Sequence, residues 1–175
     1  MGGLGLVAAA AVTLALVSSP PSQDQLRAEL RAYTAALRAP TAEAGQVVEE
    51  DMKPSLSDLR AGRLDAATFS QRARSWQIAM ARARRRVDAI SAPAPVRAAT
   101  PLFDAALDGY AAAARSFELA GAATGAQRAT LLDQGVAAAR AADGTYDRAA
   151  AVVQSALRAA GLPPDAELPD PSPGA

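Results

Sequence analysis

Apolar positions recur along most of this chain at intervals of three and four, the spacing that gathers side chains on one face of an α-helix. The first series runs Leu26, Leu30, Tyr33 and Leu37, and after a proline at position 40 it resumes through Ala44, Val47, Val48, Met52, Leu56 and Leu59. A second series, Phe69, Ala73, Trp76, Met80, Ala83, Val87 and Ile90, keeps its alternation without a break and has the heptad character of a packed seam. A third runs Phe103, Leu107, Tyr110, Ala114 and Phe117. A fourth runs Leu132, Val136, Ala139, Asp143, Tyr146, Ala150, Val153 and Leu157. The period of two that marks a half-buried strand is absent.

The residues between these series punctuate them as helices. Ser22 followed by Gln25 has the form of a capping box. Pro40 should kink or break the first helix, Pro54 is a second kink or a restart, and Gly62 ends the run. Asp65 is placed as the next N-cap, with Leu64 and Phe69 at the two positions of a hydrophobic staple. The Ser91–Pro95 stretch stops that helix. The third helix starts at Pro95 or Pro101, with Thr100 able to cap the later start. The Gly121–Gly125 region turns the chain, and Thr124 with Gln127 repeats the capping-box form. Gly161, Leu162 and Pro163 fit a left-handed C-cap, its apolar contact and a stop. Residues 163–175, with five prolines and three acids, read as a disordered tail. Four long seams joined by short turns give an all-α, up-down antiparallel four-helix bundle over residues 20–162. Small residues at many seam positions predict helix spacing near the lower end of ~8–10 Å.

Ahead of the bundle, Leu4 to Val17 carries no charge, and Met1–Ser19 extends that segment to nineteen residues. As a helix it spans roughly 28 Å, just enough for the hydrocarbon core of a membrane. Residues 1–19 therefore read as a signal peptide or a membrane anchor. The anchor is favoured, because the segment lacks a basic start and its best small-residue pair, Val17 and Ser19, precedes Pro20. Either reading places the protein outside the cytoplasm, secreted or held on the cell membrane by this segment.

Composition narrows the chemistry. Half of the residues are hydrophobic but only 4% are aromatic, so alanine supplies much of the core. Alanine favours helix and buries little area. There is no cysteine, which excludes disulfides, iron–sulfur ligation and thiol catalysis. There is no histidine, which excludes the usual zinc sites, Ser-His-Asp chemistry and the Glu-x-x-His di-iron motif of bundle oxidases. No cofactor or metal is expected. The net charge of zero gives no overall field toward nucleic acid, so no nucleic-acid partner is expected either. Lys53 is the only lysine against 17 arginines.

Two places stand out as candidates. The second helix carries Arg72, Arg74, Arg82, Arg84, Arg85 and Arg86 against only Asp65 and Asp88. Of these, Arg82, Arg84, Arg85 and Arg86 form a candidate contact surface. The competing reading is a solvated face paired across a hairpin folded about residue 63, which brings Glu43 to the Arg82–Arg84 turn. Asp143 is the other candidate, a carboxylate in a seam whose register neighbours are apolar. Antiparallel arithmetic places it level with Phe103 and Asp104, within reach of Arg82, Arg86 or Arg140. Asp143, Asp104 and Arg86 would then form a polar layer. That layer is either an ion pair fixing register or a pocket for a small solute. The same arithmetic puts Trp76, Tyr110 and Val136 at one level, where aromatics act as core. Glu49, Glu50 and Asp51 diverge around a helix axis and cannot all face one ion.

The stretch Ala142-Asp-Gly-Thr-Tyr-Asp-Arg-Ala-Ala150, with Asp108-Gly-Tyr110 before it and Gly161-Leu-Pro-Pro164 after it, resembles uncharacterised exported helical-bundle proteins of high-GC actinobacteria. The resemblance implies export and a helical fold, and no activity. The leading expectation is a non-enzymatic domain, exported or membrane-tethered, acting through contact with a protein or cell-envelope partner. The alternative is a bundle that binds a small solute or lipid around Asp143. Catalysis by carboxylates alone ranks last, since no acid pair is placed except by coincidence.

Overall fold

The computed structural model describes residues 22–166 and 168, and every described element is helical. The first rod is α1 (Gln23–Gln46), a π-helical segment (Val47–Met52) and α2 (Lys53–Arg60), in unbroken succession. Then follow α3 (Ala66–Asp88), a short 3-10 turn (Ala94–Val96), α4 (Thr100–Ala122) and α5 (Gly125–Ala159). The apolar segment 1–19 lies outside the described residues. Among the described residues no helix is long and apolar enough to cross a membrane.

The four rods form a helical bundle with antiparallel neighbours, because contacting residue numbers fall along one helix as they rise along the next. Between α3 and α4, Ser70 and Arg74 meet Glu118 while Arg84 meets Asp108. Between α4 and α5, Phe103 meets Tyr146, Tyr110 meets Asp143 and Gly135 faces Phe117. Between the first rod and α3, Glu43 meets Arg82 and Arg86 while Ser55 meets Arg72. Of the adjacent pairs, the first rod and α5 touch least closely.

The α3 seam is buried from Phe69 through Val87, and the whole α4 seam is buried. Phe69, Trp76 and Phe117 pack edge to face, with centroids 5.7 to 6.4 Å apart. Trp76 therefore sits with Phe117 rather than with Tyr110, which antiparallel arithmetic places at its level. Asp143, likewise, lies opposite Tyr110 and not Phe103, a displacement of more than one helical turn. The cause lies in the turn. The first residues of α5 fold back past the end of α4, where Arg128 Nε donates to the carbonyls of Ala120 (3.2 Å) and Ala123 (2.8 Å).

Several local expectations are met. Ser22 Oγ accepts from the Gln25 N–H at 3.2 Å, which is half of the capping box, while the Gln25 side chain donates to Glu29 Oε1 at 3.1 Å instead of reaching back. Asp65 accepts from the Thr68 N–H at 2.9 Å. Gly161, at φ 68°, closes α5 with the paired bonds of a Schellman motif, Leu162 N–H to Leu157 and Gly161 N–H to Arg158.

Others are corrected. Pro40 does not break α1. Its ring is fully buried, so packing offsets the backbone bond that a proline cannot make to the Ala36 carbonyl. The expectation for Pro54, a kink or a restart, is met: Pro54 stands in the first turn of α2, after a widened turn in which the Lys53 N–H reaches back five residues to Val48. Thr100 does not cap α4, since its hydroxyl is buried against Tyr33. Thr124 makes no capping bond, because Gly125 at φ 55° turns the chain away from it. The tail does not begin as loose chain. Asp165 and Leu168 are buried, held by the fully buried Gln154. Gln154 Nε2 donates to the carbonyls of Asp165 (2.8 Å) and Leu168 (3.0 Å), and Gln154 Oε1 accepts from the Asp165 N–H at 3.1 Å.

Candidate functional site

The arginines of α3 do not form one face. Arg82 and Arg86 turn toward the first rod and share Glu43, at 3.3 and 2.9 Å. Arg84 turns toward α4, with Asp108 at 2.9 Å and Asp88 at 3.9 Å. Arg74 pairs with Glu118 at 2.6 Å, and Arg72 donates to Ser55 at 3.0 Å. Arg85 is exposed and forms no ion pair among the described residues. A helix with arginines on both flanks is thereby neutralised by carboxylates from both neighbours, as solvated charge on a bundle surface usually is.

The structure also separates the three residues expected to share a polar layer. Arg86 is bonded to Glu43. Asp104 lies against Asp88, near Arg84 and Asp108, beside the end of α3. Burial and the contact with the Asp88 carboxylate push Asp104 up to about 6, with Arg84 pulling in the opposite direction. Tyr33 from α1 closes this cluster. Its Oη, Thr100 Oγ1 and Asp104 Oδ1 are all buried without a well-formed hydrogen bond among the described residues. Burial raises the Tyr33 phenol, the adjacent Thr100 lowers it, and Asp104 raises it further.

Asp143 is held by a phenol instead of an arginine. Tyr110 Oη donates to Asp143 Oδ1 at 2.5 Å. Burial, followed by this bond and the carboxylate's charge, raises the Tyr110 pKa well above its ordinary value, so Tyr110 stays a donor. Asp143 Oδ2 accepts no hydrogen bond among the described residues.

Around this pair the bundle is open. A cavity of about 820 Å³ lies between the first rod and α5, with Thr41, Glu49, Lys53, Tyr110, Asp143 and Tyr146 on its walls. A second cavity of about 310 Å³ is lined by Val48, Met52, Leu56, Phe117, Val136 and Ala139, with Lys53, Arg140 and Asp143 at its edge. Val48, Lys53 and Asp143 belong to both, so the two are parts of one cleft with a polar end and an apolar end. The π-helical segment supplies Val48, Glu49, Glu50 and Met52 to its wall. Widened turns of this kind often stand at functional positions.

The cleft explains why the fourth seam contains an acid. Its first half (Leu132, Val136, Ala139, Asp143 and Tyr146) is only half-buried, and most of it faces the opening. Its second half (Ala150, Val153 and Leu157) is buried as the series assigned. In the first half the buried positions are instead Gly135 and Ala142, continued by Ala149, which the 4-3 series did not include. An added Cβ at Gly135 would lie 2.4 Å from the Phe117 ring, and one at Gly109 would lie 2.9 Å from Ala142 Cβ. Seven-residue spacing of small residues was the available signal for this α4–α5 contact.

Among the described residues no group of three or more acids could hold a metal ion, and Glu49 and Glu50 are engaged by Lys53 and Gln46. No protein-family model, curated protein or solved structure matches this chain.

Proposed function

We propose that this chain is a non-catalytic binding domain whose ligand, a small solute or single lipid, seats in the cleft between the first rod and α5. One observation carries the reading. Asp143 stands at the junction of two adjoining cavities of about 820 and 310 Å³, where a residue with a merely structural role would stand in a closed core. Both volumes fall in the ~300–1,000 Å³ range of ordinary small-molecule sites. Polar and charged side chains, Asp143, Tyr110, Tyr146 and Thr41 among them, are most of the residues lining the larger cavity, and apolar ones are most of those lining the smaller, a division between orientation and affinity.

This reading displaces contact through Arg82, Arg84, Arg85 and Arg86, because three of those four arginines already have carboxylate partners. Export, or tethering by residues 1–19, remains part of the proposal and rests on that segment's apolar sequence. N-terminal sequencing of exported protein tests it: a mature start near Pro20 to Gln23 would exclude the anchor.

The cleft is tested by titrating the full chain with a library of small amphiphiles and following backbone amides by NMR. Binders should move the signals of Val48, Tyr110 and Asp143 together, and Asp143→Leu should abolish or reverse their preference. Shifts confined to other surfaces, in wild type and variant alike, would sink the reading.

A further inference from the structure

The charges and apolar walls of the cleft define a ligand class more narrowly, on the premise that the cleft is a binding site. We infer that it takes an organic cation with an apolar tail: an ammonium group against Asp143 and hydrocarbon in the smaller cavity.

The inference starts from which charges in the cleft are already matched. Its two cations at the polar end are engaged, Arg38 by Asp165 at 3.4 Å and Lys53 by Glu49. Three carboxylates at that end, Glu50, Asp143 and Asp147, form no ion pair with a described residue. Among the described residues, Glu50 receives only the neutral amide of Gln46, at 3.0 Å, and Asp143 only the Tyr110 phenol, which leaves one of its carboxylate oxygens without a donor there. A half-buried carboxylate satisfied on one side is costly, and a cation bearing N–H groups supplies both the missing charge and the missing bond. Tyr110 and Tyr146 line the same end, and the faces of such rings attract ammonium groups.

Arg140 is the one competitor built into the wall. It precedes Asp143 by three residues on α5, is exposed, and forms no ion pair among the described residues. The incoming cation therefore displaces water from Asp143 rather than a salt bridge. An anionic headgroup would find Arg140 in the wall of the smaller cavity but would face, at the polar end, three carboxylates that form no ion pair with a described residue.

The tail is specified by the smaller cavity. Met52, Leu56, Phe117 and Val136 surround about 310 Å³ that adjoins Asp143, so one molecule reaches both ends. Each buried methylene strengthens binding by about fourfold, which makes affinity rise with chain length until the cavity is filled.

Three six-carbon probes of equal tail and different head separate the terms: n-hexylammonium, 1-hexanol and hexanoate. Each is titrated into the full chain at pH 7 by calorimetry and NMR. The expected order is hexylammonium over hexanol by at least tenfold, with hexanoate weakest. Asp143→Asn, which keeps an acceptor for Tyr110, should remove most of the ammonium preference and leave hexanol unchanged. Asp147→Asn should lower it by a smaller factor. Equal binding of all three probes in the cleft, or tighter binding of hexanoate, overturns the cationic assignment while leaving the cleft as a site. Absence of any cleft signal from every probe overturns both. If Asp143→Asn loses its folded circular dichroism, the Asp147→Asn ratio of ammonium to alcohol carries the decision, and an unchanged ratio counts against the inference.

Discussion

At the scale of single residues, Asp104 shows how an unpaired carboxyl ties stability to pH. Its pKa in the folded chain is raised to about 6, by burial first and then by Asp88. An unfolded aspartate titrates near ~3.9. The folded state thus holds the proton more tightly, so the stabilising effect of protonation is complete below about pH 4 and is lost as pH rises through about 6. Asp104→Asn cannot titrate and should flatten this component. Measured by urea unfolding, the stability of Asp104→Asn relative to wild type should be higher at pH 7.5 than at pH 4.5, and an identical difference at the two pH values would refute the assignment. Asp65 and Glu118 have depressed values, so their own contributions are lost at lower pH, and the comparison with the variant removes them. Residues differ in how far the sequence exposes their role. Asp143 announced itself by breaking an apolar seam. Gln154 did not, although it stands four residues after Ala150 and three before Leu157, because its partners lie in a proline-rich segment with no periodicity to mark docking.

At the scale of elements, apolar periodicity and caps carried most of the information. The α3 and α4 seams are buried at each position the 4-3 spacing assigned, apart from Ile90, which is half-buried at the end of α3. Local rules failed where a neighbouring element decided the outcome, as at Pro40, whose helix continues because its ring fills core space. Close helix approach is set by small residues, and two glycines should give opposite signs for one substitution. A Cβ at Gly121 would lie 2.6 Å from Ser70 Cβ and 2.7 Å from the Ala66 carbonyl oxygen, so α3 and α4 would have to move apart. Gly121→Ala should destabilise by about 1–3 kcal/mol. A Cβ at Gly144, inside α5, meets nothing within 4 Å. There the gain in helix propensity should dominate, and Gly144→Ala should stabilise by about 0.5–1 kcal/mol. Thermal and urea unfolding of the pair checks this, and equal signs would contradict the close approach at Gly121.

At the scale of the molecule, α3, α4 and α5 pack tightly in sequence while the first rod leans on α3 and leaves its other flank open. Register across the α4–α5 turn was not legible, because a helix pattern fixes which face is buried but not how far one rod slides along another. The cleft was hidden for the same reason, since its walls come from rods far apart in sequence. What ties the open flank is the chain end. Arg27 Nε donates to the Ala160 carbonyl at 2.9 Å, and Arg38 pairs with Asp165, which Gln154 holds in turn. Ending the chain after Pro164 takes the Asp165 and Leu168 backbone groups away from the Gln154 amide and returns to water the apolar surface that the buried Leu168 side chain covers. Each lost hydrogen bond costs about 0.5–1.5 kcal/mol net, and with the lost apolar cover the truncated chain should be about 2–4 kcal/mol less stable in urea. Gln154→Leu should then behave oppositely in the two backgrounds. In the full chain it orphans the Asp165 N–H and destabilises. In the truncated chain it replaces an amide that no longer has partners and recovers part of the stability. That reversal is a coupling energy between residue 154 and the chain end, and a double-mutant cycle measures it directly. Additive effects would mean that the tail contributes nothing through Gln154, and that the open flank is held by Arg27 and the rods alone.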